Sequence, residues 1–212
     1  MRKILLILVF IFATATAFCQ KISYGAFIGL NETSVPMTYK NEAYANVTLG
    51  GFSIGGVVDL KFAKFLSLQP GLYFTRKGGE TLHDTIEFSG AKPRTPLTTK
   101  MHLNYGEIPL NLLFNGQVAG ATFFAGGGPY FAIKFSTKLF YNNGVDGSFV
   151  ESPDYPPKLN GTDLGYNILG GIRFAKGLTL RVAYEKSMGT VYNGQPGVKN
   201  QGFNFSAGYF FK

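Results

Sequence analysis

Strict two-residue alternation of apolar and polar side chains is the feature that most constrains this chain. In the segment 161–187, alternate positions from Leu164 to Phe174 are apolar or aromatic apart from one glycine, and the intervening positions are mostly small or polar. After the break "AKG", the alternation resumes with an apolar set that runs from Leu178 to Tyr184. Successive side chains of a β-strand point to opposite faces, so this segment predicts a hairpin with one apolar face and one polar face.

The same alternation recurs along the chain in eight segments. The predicted strands lie at about 21–30, 49–60, 66–76, 101–114, 121–135, 163–174, 178–187 and 201–211. Each is close to the roughly 9–11 residues of a tilted strand that crosses a membrane, or slightly longer. No segment after the N-terminus approaches the roughly 18 apolar residues that a spanning helix needs.

The connections between these segments alternate in length. The second and third strands are joined by "KFAKF", the fourth and fifth by "NGQVAG", and the sixth and seventh by "AKG". The other connections, at about 31–48, 77–100, 136–162 and 188–200, are long and rich in Gly, Pro, Asn, Thr and Ser. An even strand number with short turns at one end and long loops at the other predicts an all-β fold, an eight-stranded antiparallel transmembrane β-barrel with up-and-down meander topology. Both termini then lie at the periplasmic, short-turn end.

A soluble lipocalin-like barrel also alternates, but its apolar face lines an internal ligand cavity. A water-facing outer surface would be dense in Lys and Glu, whereas the polar strand positions here carry mainly Gly, Ser, Asn and Thr. Aromatic residues also end the apolar face near the expected membrane boundaries, as in aromatic girdles. They are Phe62, Phe65, Phe74, Phe114, Phe123, Phe174, Tyr184, Tyr209 and Phe211. The apolar face is therefore predicted to meet lipid, with the soluble ligand-binding barrel as the alternative.

The N-terminus predicts an exported protein. Two basic residues precede the apolar run 4–12, and small residues follow it, which is the pattern of a secretory signal peptide. Cleavage after Ala17 or after Cys19 fits the small-residue rule, and we predict a signal peptide at 1–19 and a barrel domain at 20–212. Acylation of Cys19 would instead give a lipoprotein, which the bulky preceding residue disfavours. The chain has one cysteine, so disulfides within the folded body are excluded.

Charge and composition disfavour nucleic-acid binding. The net charge is +8, and it falls to +6 once the two basic residues of the signal peptide are removed. The lysines are scattered over predicted turns and loops and form no basic run, so solvated loops account for them. The 28 glycines and 16% aromatic residues, with 15% charged residues, are unusual for a soluble enzyme.

Six stretches resemble the PorT-type outer-membrane β-barrel family of Bacteroidetes-like bacteria, which shares the eight-stranded architecture of small OmpA- and OmpX-like barrels. The stretches are "LQPGLYFTRKGG", "YGEIPLNLLF", "FFAGGGPYFA", "TDLGYNILGGIRF", "LRVAYEKSMGTVYN" and "NFSAGYFF". The Tyr-x-Glu-Ile-Pro and Gly-Pro-Tyr segments are the specific ones. The resemblance implies the fold and an outer-membrane location. It also implies, as an alternative role, an accessory function in protein secretion like that of the family namesake.

No catalytic constellation emerges from the sequence. His83 precedes Asp84 in a long predicted loop, but adjacent residues of an extended chain point apart, and no motif positions a nucleophile. His102 stands near the extracellular start of the fourth predicted strand, and a structural role is favoured for it as well. We therefore predict a non-enzymatic protein, with a membrane-embedded lipid-modifying enzyme as the alternative.

Metal and cofactor sites are not predicted either. Asp146, Glu151 and Asp154 offer the oxygen ligands that calcium prefers, but their spacing matches no calcium loop. The triple glycine at 126–128 is followed by neither a Lys-Ser/Thr pair nor a helix, so it predicts close backbone packing within a strand rather than a phosphate loop.

Six charged residues fall on the small-polar face of the predicted strands. They are Asp59, Glu107, Asp163, Arg173, Arg181 and Glu185. Unpaired charges in a narrow lumen are costly, so we predict that these residues pair with one another, and that Arg173 and Arg181 each find an acid. A charged constriction that selects ions is the functional alternative.

The C-terminal segment "QGFNFSAGYFF" predicts the strand that closes the barrel against the first strand. Its alternating aromatic residues are Phe203, Phe205, Tyr209 and Phe211, a terminus of the kind that outer-membrane assembly machinery reads. The expected partners are outer-membrane lipid, this assembly machinery and a secretion-system or surface partner, but no nucleic acid. The predicted role is envelope-structural or surface-interacting.

The alternation of loop lengths predicts the orientation of the chain. An epitope tag within 77–100 or 136–162 should be accessible to antibody on intact cells, because the long connections face outward. A tag at Lys176, in the short turn 175–177, should be detected only after the outer membrane is permeabilised. Labelling of the Lys176 tag on unbroken cells would contradict the topology.

Overall fold

The computed structural model describes residues 21–35, 38–39, 42–43, 46–83, 97–142, 148–151, 159–191 and 199–211. Within these ranges every regular element is a β-strand. The strands are β1 Lys21–Ser34, β2 Thr38–Tyr39, β3 Glu42–Ala43, β4 Asn46–Ala63, β5 Leu66–His83, β6 Leu97–Val118, β7 Ala121–Asn142, β8 Phe149–Glu151, β9 Thr162–Arg173, β10 Leu178–Ser187 and β11 Gln201–Phe211. The described residues include no helix that is long and apolar enough to cross a membrane.

Eight of these strands form a closed antiparallel ring. Its order is β1, β4, β5, β6, β7, β9, β10 and β11, and β11 pairs again with β1. The closing register runs from Tyr24 opposite Phe211 to Ser34 opposite Gln201, which includes the predicted contact with residues 24–28. Each strand follows its neighbour in the chain, so the predicted eight-stranded up-and-down barrel is confirmed. A closed ring leaves no strand edge unpaired.

The short turns lie together at one end of the barrel. β4 and β5 are joined through 64–65, β6 and β7 through 119–120, and β9 and β10 through 174–177. Ala119 and Gly120 both have positive φ, 47° and 80°, as a two-residue hairpin turn of the primed type requires. Gly177 also has positive φ, 97°, and a Cβ there would lie 2.5 Å from the Phe210 carbonyl oxygen, so glycine is required at this turn.

The strands reach further than predicted at the opposite end. β6 and β7 each contain 22 residues and β5 contains 18, whereas β9 and β10 contain 12 and 10. The predicted loops 77–100 and 136–162 are therefore partly strand. At the short-turn end, most of the predicted turn "NGQVAG" is strand as well. The apolar half of the alternation stops where the outer face leaves the lipid, but backbone pairing continues, so the sequence pattern ends before the strand does.

The apolar face points outward, as predicted. In β9, Leu164 is 51% exposed and Ile168 is 61% exposed, whereas Asp163 and Asn167 between them are 5% and 4% exposed. The aromatic residues at the short-turn end, including Phe114, are exposed on the same surface. An apolar outer surface of this kind is suited to contact with lipid. It excludes the alternative of a soluble barrel whose apolar face lines an internal ligand cavity.

The interior is less uniformly polar than predicted. One cluster of buried apolar residues, Val35, Met101, Leu103, Tyr105, Tyr130, Ala132 and Val191, fills the end with the long connections. Two further clusters, Phe27, Val57, Tyr73 and Phe210, and Leu113, Phe124, Leu169 and Ala183, lie elsewhere inside. Large side chains therefore interleave with the polar ones, and glycines open room for them; a Cβ at Gly171 would lie 2.6 Å from the Phe124 ring.

Closure through β11 predicts that the last residues are indispensable. Deletion of residues 209–212 removes the pairs of Tyr209, Phe210 and Phe211 with β1 and so exposes unpaired backbone groups to lipid. We expect the truncated protein to migrate as an unfolded chain on a detergent gel without boiling, whereas the full chain shifts only on boiling. Deletion of Lys212 alone is the control, because every paired residue of β11 remains. A heat-modifiable band from the longer deletion would contradict the closure.

Candidate functional site

A buried ion-pair cluster centred on Lys77 crosses the upper half of the interior, nearer the long connections. The Lys77 Nζ lies 2.5 Å from Glu107 Oε2 and 2.8 Å from Glu185 Oε2, and it sits 4.4 Å from the centre of the Tyr130 ring. The three charged side chains are 2%, 4% and 20% exposed. Lys77 and Glu107 stand on the paired strands β5 and β6, whereas Glu185 stands on β10, so the cluster ties opposite walls together.

Lys77 is a buried charged residue of the interior that the sequence prediction missed. The predicted third strand ended at residue 76, which assigned Lys77 to a loop, whereas β5 continues to His83. Tyr73 and Thr75 point inward, and Lys77 lies two residues further along the same face of β5. This two-residue spacing was the feature of the sequence that could have identified Lys77 as an interior residue. Two of the predicted acids, Glu107 and Glu185, consequently pair with a lysine and not with an arginine.

Asp163 is held by uncharged donors. It accepts hydrogen bonds from the Ser187 hydroxyl, from the Tyr130 hydroxyl at 3.3 Å and from Asn200 Nδ2 at 3.2 Å. The Asn200 amide also donates to the Tyr105 hydroxyl at 3.3 Å. No ion pair of Asp163 occurs among the described residues, so the prediction of an arginine partner is wrong for this acid. The donors come from β7, β10 and the segment before β11, so this carboxylate also connects separate strands.

Arg173 pairs with Asp59 near the short-turn end, as the prediction of an acid partner for this arginine requires. Arg173 Nη1 donates to Asp59 Oδ2 at 3.0 Å, and the carboxylate is fully buried. The guanidinium carbon lies 3.4 Å from the centre of the Phe210 ring, so the ring packs against the cation. The two residues stand on β4 and β9, which are not neighbours in the barrel.

Arg181 pairs with no acid among the described residues, contrary to prediction. Its Nε donates to Ser206 Oγ and its Nη1 to the Tyr73 hydroxyl, both at 3.0 Å. The guanidinium carbon also lies 4.6 Å from the centre of the Phe27 ring. The acids within the lumen are already engaged by Lys77, by Arg173 or by uncharged donors, so hydroxyl groups and aromatic rings solvate this cation instead.

The middle of the barrel is closely filled. The cavity beside the Lys77 cluster measures about 20 Å³, and Asn111, Asn167 and Asn204 contribute to its lining. Asn204 Nδ2 donates to Ser53 Oγ at 2.8 Å and to Asn31 Oδ1. Such a volume accommodates a water molecule or two, which is far less than an aqueous channel at this level of the barrel would need. The charged interior therefore acts as an internal brace, and the described residues show no ion-selective constriction that is open.

Of the candidate catalytic and calcium residues, the structure describes the side chains of His102 and Glu151. His102 lies on the outer face of β6, where its ring packs against Phe140 with the centroids 5.5 Å apart. Glu151 pairs with Lys138 at 3.3 Å on the exposed surface. The side chain of His83, and the whole of Asp84, Asp146 and Asp154, lie outside the described part of the chain. Within that part, no group of three or more His, Cys, Asp or Glu side chains could hold a metal ion.

The outer face changes character above the apolar belt. On β6, Ile108, Leu110 and Leu112 are exposed and apolar, whereas the outward positions beyond Gly106 carry polar side chains such as Asn104. Asn104 Oδ1 accepts a hydrogen bond from Arg76 Nε at 3.0 Å, and Asn104 Nδ2 donates to Ser136 Oγ at 2.8 Å. The extended parts of β5, β6 and β7, together with β8, thus form a raised wall on one side of the barrel, which we name the raised polar wall. It also exposes Phe149 and Val150 of β8.

A sequence model described as "Outer membrane protein beta-barrel domain" matches residues 16–193 of this chain. Among solved structures, the attachment invasion locus protein Ail of Yersinia pestis is 13% identical, with 91% of this chain and 100% of that chain covered and a TM-score of 0.42. Neisserial surface protein A is 14% identical over 91% and 99% of the two chains, with a TM-score of 0.46. OprG of Pseudomonas aeruginosa is 12% identical over 90% and 94%, also at 0.46. A search of curated protein sequences finds no match.

The Lys77 cluster predicts a large effect on stability. Lys77→Met should lower the free energy of unfolding by about 3–5 kcal/mol, because it leaves two acids buried without their cation. Urea titration of the refolded protein, with the folded fraction read from unboiled gel samples, measures the loss. Adding Glu107→Gln to Lys77→Met should recover part of it.

Lys138→Met is the matched control for this substitution. Its ion pair with Glu151 is about half exposed on both sides, and we expect a change of about 0–1 kcal/mol. Equal losses from Lys77→Met and Lys138→Met would show that the interior cluster contributes no more than a surface pair.

Proposed function

This chain belongs to the family of outer membrane protein β-barrel domains, and on that basis we propose that it is a non-enzymatic barrel with an envelope-structural or surface-interacting role. Its location is the outer membrane. By the usual orientation of such barrels, the short turns face the periplasm and the long connections face the exterior. The N-terminal signal peptide, which lies outside the described residues, supplies the route of export in this proposal.

The filled interior is the observation that carries this proposal. The Lys77 cluster and the Asp59–Arg173 pair each join strands on different sides of the barrel, and the cavity between them measures about 20 Å³. A barrel that conducts solutes needs a continuous lumen, which eight strands with filled interiors do not provide. The surfaces at the two ends and the outer wall therefore remain as the places where the protein acts.

The raised polar wall favours interaction at the cell surface. β6 and β7 exceed β9 by 10 residues each, which corresponds to on the order of 30 Å of additional strand. The wall carries Lys100, which pairs with Glu80 at 3.6 Å and lies 4.0 Å from the centre of the Phe149 ring. A paired sheet is a more rigid platform than a loop, so it suits the presentation of a contact surface.

The secretion-accessory role remains the second candidate, through the resemblance to PorT-type barrels. The residues that carry this resemblance have structural partners inside the barrel. Glu107 of the Tyr-x-Glu-Ile-Pro segment binds Lys77, and Tyr130 of the Gly-Pro-Tyr segment donates to Asp163. Pro109 and Tyr130 are opposite each other in the register of β6 and β7. These motif residues thus account for a shared fold, and a secretion role would have to reside elsewhere on the surface.

Conductance measurement tests the filled interior. The refolded wild-type protein should give no steady ohmic steps in planar lipid bilayers, because its interior side chains and ion pairs obstruct the lumen. Large, stable steps in the wild type would contradict the proposal and favour a porin. A known open barrel, refolded and reconstituted in the same way, is the control for successful insertion.

A deletion strain discriminates among the roles. We expect an unchanged set of secreted proteins and unchanged lipid A masses, together with weaker envelope resistance or adhesion. Loss of protein export would favour the secretion accessory, and altered lipid A would favour the enzyme. Complementation with Lys100→Glu/Lys138→Glu, which reverses charge on the polar wall, should fail to restore the surface phenotype. Lys64→Glu/Lys176→Glu, which reverses as much charge at the short-turn end, should restore it.

A further inference from the structure

The short-turn end of the barrel contains a pocket of about 440 Å³. Its polar lining comes from the beginnings and ends of several strands. These residues are Lys21, Ser23, Lys61, Gln117, Thr122 and Arg173. Apolar contacts from Phe174, Phe210 and Phe211 complete the wall. The volume falls within the range of about 300–1,000 Å³ that is typical of small-molecule sites.

Positive charge dominates the lining of this pocket. Lys21 of β1 is directly opposite Lys61 of β4 in the strand register, and both line the pocket. Arg173 adds a third cation, and the described lining residues include no carboxylate. The interior acid Asp59, opposite Ser23 in the register of β1 and β4, is fully buried and accepts a hydrogen bond from Arg173 through Oδ2.

Arg173, which lines this pocket, also carries a donor that has no acceptor among the described residues. Its Nη1 is committed to Asp59, and its guanidinium plane packs on the Phe210 ring at 3.4 Å, so the group is held in one orientation. Its Nε is buried and makes no hydrogen bond in the structure. A buried donor without an acceptor costs free energy, and an anionic oxygen is the strongest acceptor for a guanidinium N–H. The hydroxyls of Ser23 and Thr122 and the Gln117 amide can supply further donors.

We propose that this pocket binds a small molecule or chain end that carries an oxyanion, either a phosphate or a carboxylate group. The excess of cations selects for negative charge, and the fixed Arg173 with the hydroxyl and amide donors orients it. The pocket opens at the short-turn end, so the ligand enters from the periplasmic side in the orientation proposed above. This inference goes beyond the surface role, because it concerns the opposite end of the barrel and does not depend on what the polar wall contacts.

Nuclear magnetic resonance of the refolded, isotope-labelled protein in uncharged detergent provides the test. Inorganic phosphate and citrate are the two probes, each titrated against chloride at constant ionic strength. We expect saturable shifts at Ser23, Lys61 and Thr122 and at the Arg173 Nε–H signal, with a Kd of about 1 mM or tighter for at least one probe. A response to phosphate alone identifies a phosphate site, and a response to citrate alone identifies a carboxylate site.

Variants that remove one lysine charge distinguish binding of the anion in the pocket from its general attraction to the positive charge of this end of the barrel. Lys61→Gln should weaken binding by about tenfold or more, the effect of one lost charge-assisted contact. Lys64→Gln is the matched control, because it removes the same charge from an exposed turn that does not line the pocket, and it should change the Kd by less than about twofold. Lys21→Gln serves as the second pocket variant if Lys61→Gln yields no heat-modifiable barrel.

Two results would overturn the proposal. The first is the absence of saturable shifts with either probe, which means that the pocket holds only water. The second is equal weakening by Lys61→Gln and Lys64→Gln, which means that the anions respond only to the net charge of this end.

Discussion

The pairing of every spanning backbone group is the constraint on which this structure depends. A strand in hydrocarbon has no water to satisfy its N–H and C=O groups, so the sheet must close on itself. Here β11 returns to β1 in a register of consecutive pairs from Tyr24 with Phe211 to Ser34 with Gln201. Once the ring is closed with eight strands, the interior is narrow, and each inward side chain meets side chains from the opposite wall.

The composition of the interior follows from that narrowness. Charges there are screened poorly, so each one requires a partner, and the partner usually stands on a strand that is not its neighbour. Lys77 with Glu185 and Asp59 with Arg173 are such pairs, and Arg181 uses the Ser206 and Tyr73 hydroxyls for the same purpose. These contacts make the lumen a brace and move any function to the ends of the barrel.

The two ends differ in what they offer. At the end with the long connections, β5 to β8 rise above the apolar belt as a paired, polar wall that carries charges of both signs. At the short-turn end, the barrel stops abruptly at tight turns, and Lys21, Lys61 and Arg173 surround a pocket. One end therefore presents an extended surface, and the other presents a small basic concavity.

The sequence by itself determined the number of barrel strands, their order, the turns at one end and the face that meets lipid. Each of these properties depends on a local period of two residues or on the length of a connection, and both can be read without knowledge of distant neighbours. An ion pair of the kind formed by Asp59 and Arg173 was also predictable, because the two-residue alternation places both side chains on the inward face.

Only the tertiary structure decided that Lys77 stands between Glu107 and Glu185, that Arg181 binds hydroxyls, and that β6 and β7 continue to 22 residues each. Contacts across a lumen depend on how the closed strands are staggered, and no residue pattern along one strand encodes that stagger. Strands that leave the lipid also lose their apolar face while their backbone pairing continues, so the alternation that reveals a strand within the membrane disappears above it.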